Sequence, residues 1–272
     1  MNNHRNNTLL SLLAVSMLML TSCTEVIDIE LNEADRRFVV EGSITEGTDS
    51  AYVLVNKTTS FFGTFQPEAV TDAQVFLTMP DGSEIQIPHV ADGKYIVHGL
   101  TVANASDYSI RVEADDKTFT GADYMMPSVT LDSLEYEFDE GLFGGEDGYS
   151  VFLDFQDQPG KNFYRVVYKV DGELQNTADD IMVFDDNLND GAFIRIPIFT
   201  YSFAAGDSVD IELQSLSPEL YEFYQTFAAV ASEDAGSPFA AAPANPNTNI
   251  EGGALGVFGA YTSSKKSIRI PE

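Results

Sequence analysis

The chain has 272 residues, 43 of them acidic against 14 lysines and arginines, for a formal net charge of −29. A surface this acidic repels nucleic-acid phosphates and anionic lipid, which excludes a nucleic-acid role. The single cysteine, Cys23, leaves no internal disulfide, so burial of apolar surface has to hold the fold.

Residues 1–22 read as an export signal: Arg5 in a polar start, an apolar segment from Leu9 to Leu20, then the small Thr21 and Ser22. The apolar segment falls short of the roughly 20 residues that a bilayer crossing takes. Leu20-Thr21-Ser22-Cys23 resembles a bacterial lipobox, which predicts cleavage before Cys23 and acylation of its thiol. Residues 23–34 then form a lipidated tether. One acyl chain holds weakly, so a stable anchor carries more than one.

From residue 35 the chain alternates polar and apolar residues with period two and breaks at Gly, Pro, Asn or Asp, the pattern of half-buried antiparallel strands. Strands are expected at 38–44, 51–55, 74–78, 84–87, 94–98, 108–112 and 118–120. Turns fall at Pro80-Asp81-Gly82, Asp92-Gly93 and Asp115-Asp116. This predicts an N-terminal β-sandwich over residues 35–127, immunoglobulin-like or prealbumin-like. With no tryptophan and no cysteine pair, an antibody-type core is excluded.

Met125-Met126-Pro127 reads as a hinge to a second β-rich module over residues 128–272. Its strands are expected at 133–138, 149–155, 162–170, 193–196 and 208–213. One amphipathic helix is expected near 218–232. Ser217 caps it, Pro218 suits the first helical position, and Glu219 meets the positive dipole end. Leu220, Phe223, Tyr224, Phe227 and Ala231 share a face at helical spacing, which reads as a core face. A long loop rich in Pro, Ala and Asn follows over 236–249. A buried strand is then expected at 254–261, its glycines admitting close backbone approach. The fold class is mainly β: two antiparallel β-sandwich modules, the second with one helix.

Several segments in order point to a family. They are Cys23 with Val26-Ile27-Asp28, Phe38-Val39-Val40-Glu41-Gly42, Asp72-Ala73-Gln74-Val75 and Asp92-Gly93-Lys94-Tyr95. Asp157 through Arg165, Asn245 through Ile250, and Gly253 through Phe258 complete the set. The chain resembles a Bacteroidota family of outer-membrane lipoproteins, the domain-of-unknown-function family numbered 4249. The resemblance implies an outer-membrane, lipid-anchored protein, periplasmic or surface-exposed, whose gene often neighbours a TonB-dependent receptor. It supplies no catalytic residues, because the family has no established activity. The N-terminal module is also similar to carboxypeptidase-regulatory or transthyretin-type sandwiches, which implies an interaction role.

The chemistry-bearing motifs are few. There is no Gly-x-Ser-x-Gly elbow, His-Glu-x-x-His, phosphate loop or dinucleotide fingerprint. His89 and His98 meet only if their strands pair in register, a bare two-histidine metal site. Asp185, Asn187 and Asn189 occupy positions one, three and five of an EF-hand-like loop. Asp190 stands where glycine is needed, however, and Ile196 where the bidentate glutamate belongs. A looser structural calcium site and a solvated hairpin tip both remain open there. Phe61, Phe62 and Phe65, with Leu142 and Phe143, are loop apolar residues suited to partner binding or to closing the sandwich. Ser50, Ser133 and Ser208 follow aspartates in Asp-Ser-apolar sequons resembling those of Bacteroidota O-glycosylation.

The expected function is therefore a non-enzymatic outer-membrane accessory lipoprotein that assists nutrient capture with a TonB-dependent transporter. The alternatives are a structural or adhesive envelope protein that binds glycans or other envelope proteins, and a hydrolase using an Asp/Glu pair.

Overall fold

Period-two alternation becomes strands wherever one face is apolar: β1 (Phe38–Thr45) buries Phe38, Val40, Gly42 and Ile44 and turns the intervening residues outward. The computed structural model describes residues 36–59, 67–140, 147–232 and 245–272. After β1 come β2 (Ser50–Lys57), β3 (Glu68–Ala69), β4 (Gln74–Thr78), β5 (Glu84–Ile87), β6 (His89–Ala91), β7 (Lys94–His98), β8 (Ser106–Ala114) and β9 (Lys117–Met125). The second half holds β10 (Leu131–Asp139), β11 (Gly148–Gln156), β12 (Phe163–Val170), β13 (Glu173–Leu174), β14 (Met182–Asp185), β15 (Phe193–Pro197) and β16 (Ser208–Leu216). Helix α1 (Pro218–Ala231), β17 (Ile250–Glu251) and β18 (Leu255–Arg269) close the chain. The protein is mainly β, with one α-helix among the described residues. The turns at Asp92-Gly93 and Asp171-Gly172 both hold positive φ at both residues, as tight hairpins require.

The architecture turns on β18. Its first half runs parallel to β1, from Val39 opposite Leu255 to Thr45 opposite Tyr261. Its second half runs antiparallel to β16, from Thr262 opposite Ser215 to Arg269 opposite Ser208. One ten-stranded sheet results, in the order β13-β12-β16-β18-β1-β2-β7-β6, with β14 beside β12 and β3 beside β2. A five-stranded sheet, β17-β9-β8-β4-β5, and a three-stranded one, β10-β11-β15, complete the fold.

Two hydrophobic cores form between these layers. The first joins Val40, Val53, Tyr95, Ile110 and Phe119 to Phe258 and Ala260; the second joins Leu131, Leu153, Tyr164, Leu213 and Ile270. Met125 lies in the first core and Val129 in the second, on either side of the expected hinge. Ile250, Ala254, Phe258 and Ala260, however, return to the first core, and Asp35–Glu272 packs as one compact unit. The strand expected at 254–261 extends to Arg269; its second half, Thr262-Ser263-Ser264-Lys265-Lys266-Ser267-Ile268-Arg269, is mostly polar, so the apolar pattern does not mark it.

Along the half of β18 that pairs with β1, no strand among the described residues lies on its other edge, and two side chains take over there. Asn249 Nδ2 donates to the Phe258 and Ala122 carbonyls at 2.7 and 3.0 Å, and its Oδ1 accepts the Phe258 N–H at 2.9 Å. Asp123 Oδ2 accepts the Ala260 N–H at 2.7 Å. A backbone group left buried without a partner costs about 1–3 kcal/mol. Asn249→Ala should therefore lower the free energy of unfolding by about 2–4 kcal/mol, since it orphans more than one such group. Urea unfolding checks it, and a loss below about 1 kcal/mol would show the edge to be solvated instead.

Candidate functional site

The site is built on the outer face of the ten-stranded sheet, away from both cores. Ser217 caps α1 by accepting the Leu220 N–H at 3.1 Å, and Pro218 opens the helix. Leu220 and Tyr221 are buried against Phe163, Leu216 and Val257 of the sheet, with the Tyr221 and Phe163 rings 4.7 Å apart. The helix is pinned there, close to its start.

The remaining apolar stripe departs from the core face expected of it. Phe223 and Tyr224 are half-buried, and Phe227 and Ala231 are exposed. Beneath them, Gly256 and Gly259 of β18 present bare backbone, and a Cβ on Gly259 would lie 3.0 and 3.2 Å from Leu220. Leu220 fits into that gap, Phe223 and Tyr224 pack against the same cluster, and the helix is exposed from Phe227 on. The result is a groove of about 720 Å³ with α1 on one side and β1, β2, β12, β16 and β18 below. This lies within the range of about 300–1,000 Å³ typical of small-molecule sites.

Its walls mix aromatic and polar groups. Phe223 and Phe227 stack nearly parallel at 5.8 Å, and Tyr52, Tyr224 and Tyr261 add phenol rings. Burial, reinforced by the Glu41 carboxylate, pushes the Tyr52 phenol up to about 12. The Tyr224 phenol is also raised, by burial first, with the nearby Arg165 charge opposing. Arg165 lies over Tyr224, its guanidinium carbon 3.9 Å from the ring centroid. Its Nη1 reaches Gln214 Oε1 at 3.5 Å, Gln214 donates to Glu212 at 3.0 Å, and Glu212 pairs with Lys265 at 3.1 Å. Arg165 Nε is buried with no hydrogen-bond partner. Sequence reasoning quoted Arg165 as a family mark without giving it a role; a cation inside an alternating strand was the available signal.

The expected site residues fall elsewhere. Cys23, Phe61, Phe62, Phe65, Leu142 and Phe143 lie outside the described residues. Ser50 and Ser208 open β2 and β16, half-buried, and the Ser133 hydroxyl donates to buried Asp154 at 3.1 Å. His89 stands opposite Tyr95 and His98 opposite Ser50, so the registers keep the two histidines apart. Asp185 and Asn187 bond to each other, the Asn187 N–H and Nδ2 reaching the two Asp185 oxygens at 3.2 and 2.5 Å. Asn189 lines a separate cavity of about 530 Å³ with Phe193 and Phe199.

A different acidic set converges beside that loop: Asp157, Asp186 and Asp190 bring one oxygen each within 4.8 Å of one another. Such oxygens suit a hard cation, which takes six to eight of them. Asp157 is already engaged, by the Tyr164 hydroxyl and by the Gly191 N–H at 2.8 Å. Asp190 likewise holds the Gly160 N–H at 2.8 Å. These bonds staple two loops together with no ion required. Burial, then Asp157, pushes the Tyr164 phenol far up, so Tyr164 remains the proton donor of that pair.

Fold and groove together define a layered β-sheet protein with a ligand-sized cavity on its outer face. The signature of the domain of unknown function DUF4249 matches residues 24–267, so the chain belongs to that family. A comparison with curated proteins finds no match.

Proposed function

We propose that this protein is a lipid-anchored, non-catalytic binding protein of the outer membrane, which holds a small nutrient and passes it to a TonB-dependent transporter. The groove under α1 carries this reading: aromatic walls, a stacked guanidinium and a bare glycine floor are equipment for holding a molecule. The lipobox around Cys23 supports the anchor, and no helix among the described residues is long and apolar enough to cross a membrane. Family resemblance is the support for the transporter partnership.

Cys23→Ala should move the protein almost entirely from the membrane pellet to the soluble fraction on cell fractionation. Retention in the pellet would sink the tether. Purification of the tagged full chain from detergent-solubilised membranes should recover an outer-membrane receptor barrel. Retention on glycan resins without any barrel would instead favour the adhesive reading. One observation speaks for that second reading: Phe193 and Phe199 are 60% and 75% exposed beside a shared cavity, an apolar face of the kind partners cover.

A further inference from the structure

We infer that the groove under α1 selects a small monocarboxylate with an aromatic or aliphatic body, whose carboxylate seats on the Nη1–Nη2 end of the Arg165 guanidinium. The inference rests on the groove being a binding site and adds the class of ligand.

The chain carries 43 acidic residues and 14 basic ones, and three of its six described arginines pair with carboxylates, Arg36 with Glu68 among them. Arg111 pairs with Glu84 and Glu113, and Arg195 with Glu135, Glu137 and Asp154. Arg165 pairs with none among the described residues. Its protein contacts are the Tyr224 ring and a 3.5 Å approach of Nη1 to Gln214. Nε is sealed among protein atoms, whereas Nη2 has no hydrogen-bond acceptor among the described residues and is not buried.

A guanidinium presents an N–H on each of its two Nη atoms side by side, spaced to meet the two oxygens of one carboxylate. Contact with the Tyr224 ring limits the movement of that fork, so less freedom is lost when a ligand docks. The adjoining Phe223 and Phe227 faces then receive the ligand's apolar body.

Charge limits the ligand to one anionic group. Glu41 and Asp180 line the same groove, and the fields of Glu41 and Arg165 both act on the Tyr224 phenol. A second carboxylate on the ligand would meet Glu41, a like charge. Glu212 is neutralised by Lys265 and does not compete for Arg165. The −29 charge of the whole chain acts weakly here, because exposed charges are screened over about 8 Å at physiological salt.

The test uses the purified full chain and a panel of matched aryl and alkyl monocarboxylates with their primary amides, 3-phenylpropionate and 3-phenylpropionamide among them. Binding is read by ligand-observed NMR and calorimetry. The expected result is acids binding at least about tenfold tighter than amides, which Arg165→Lys and Arg165→Gln both abolish. Lysine keeps the charge and loses the fork, so an acid preference that survives Arg165→Lys would overturn the two-pronged seat on Arg165. Ser43→Trp fills the groove and should remove all binding. Leu174→Trp, at an exposed rim position, repeats the block without disturbing a central strand. Melting curves confirm that each variant is folded. Acids and amides that bind alike, and are both lost on blocking, would overturn the carboxylate assignment and leave the groove as a binding site. Hits that are absent, or that persist in both blocked variants, would overturn the groove reading as well.

Discussion

Gly256→Ala is expected to abolish stable folding. At φ +104°, Gly256 occupies backbone space that side-chain-bearing residues rarely enter, and it stands opposite Val40 in the parallel β1–β18 ladder. A Cβ there would lie 2.1 Å from the Val40 carbonyl oxygen and 2.8 Å from its carbonyl carbon. Both are backbone atoms in the middle of the largest sheet, so no side chain can swing aside. Relief requires β1 and β18 to part, and they carry Val40 and Phe258 of the first core.

The strained backbone alone costs about 1–3 kcal/mol. Parting the strands adds lost ladder bonds and lost burial, against a total stability of about 5–15 kcal/mol for a domain. Gly253→Ala is the control, since its φ of +89° is also unfavourable but a Cβ would meet nothing within 4 Å. Gly253→Ala should lose about 1–3 kcal/mol and fold, while Gly256→Ala should appear as insoluble or unfolded protein. Equal urea midpoints for the two would disprove the steric account.

The second large effect is a pH dependence written into Asp123. This carboxyl is 6% exposed, one oxygen on the Ala260 N–H and the other buried without a partner. Burial pushes it up to about 7; the Ser217 hydroxyl and the Ala260 and Tyr124 N–H groups oppose the shift, and the Glu219 charge adds to it. A raised carboxyl binds a proton in the folded chain at pH values where the unfolded chain has released it. Its contribution to stability is therefore full below the ordinary carboxylate value near 4 and is lost as pH rises towards 7.

The slope is about 1.4 kcal/mol per pH unit in that window, flat above it. Asp123→Asn keeps an acceptor for Ala260 and cannot ionise. The variant should gain on the parent by about 3 kcal/mol between pH 5 and pH 8, measured by urea unfolding at each pH. A constant difference across that range would mean that Asp123 stays charged in the folded protein. Subtracting the variant cancels the other carboxylates, which otherwise dominate the acid limb.

Local signals in the sequence reached most of the elements. Alternation marked the long strands β1, β2, β8, β11, β12 and β16, and the Ser217-Pro218-Glu219 start marked α1, because face polarity and capping are set within a few residues. Short strands such as β3, β6 and β13 are not marked, since two or three residues show no period. The acidic loop was legible as an oxygen-rich segment, but the converging set is Asp186 and Asp190 with Asp157 from another loop, which no spacing within the segment reveals.

By itself, then, the sequence determined the β class, the family, the helix and its cap, and the expectation of a lipid at Cys23. Tertiary structure decided the rest. Alternation says which face of a strand is apolar but not which strand lies beside it, so the double pairing of β18 and the single sheet joining both cores were invisible. The groove has the same origin. Gly259 admits Leu220, α1 is exposed from Phe227 on, and among the described residues strands distant in sequence bring no carboxylate into a pair with Arg165.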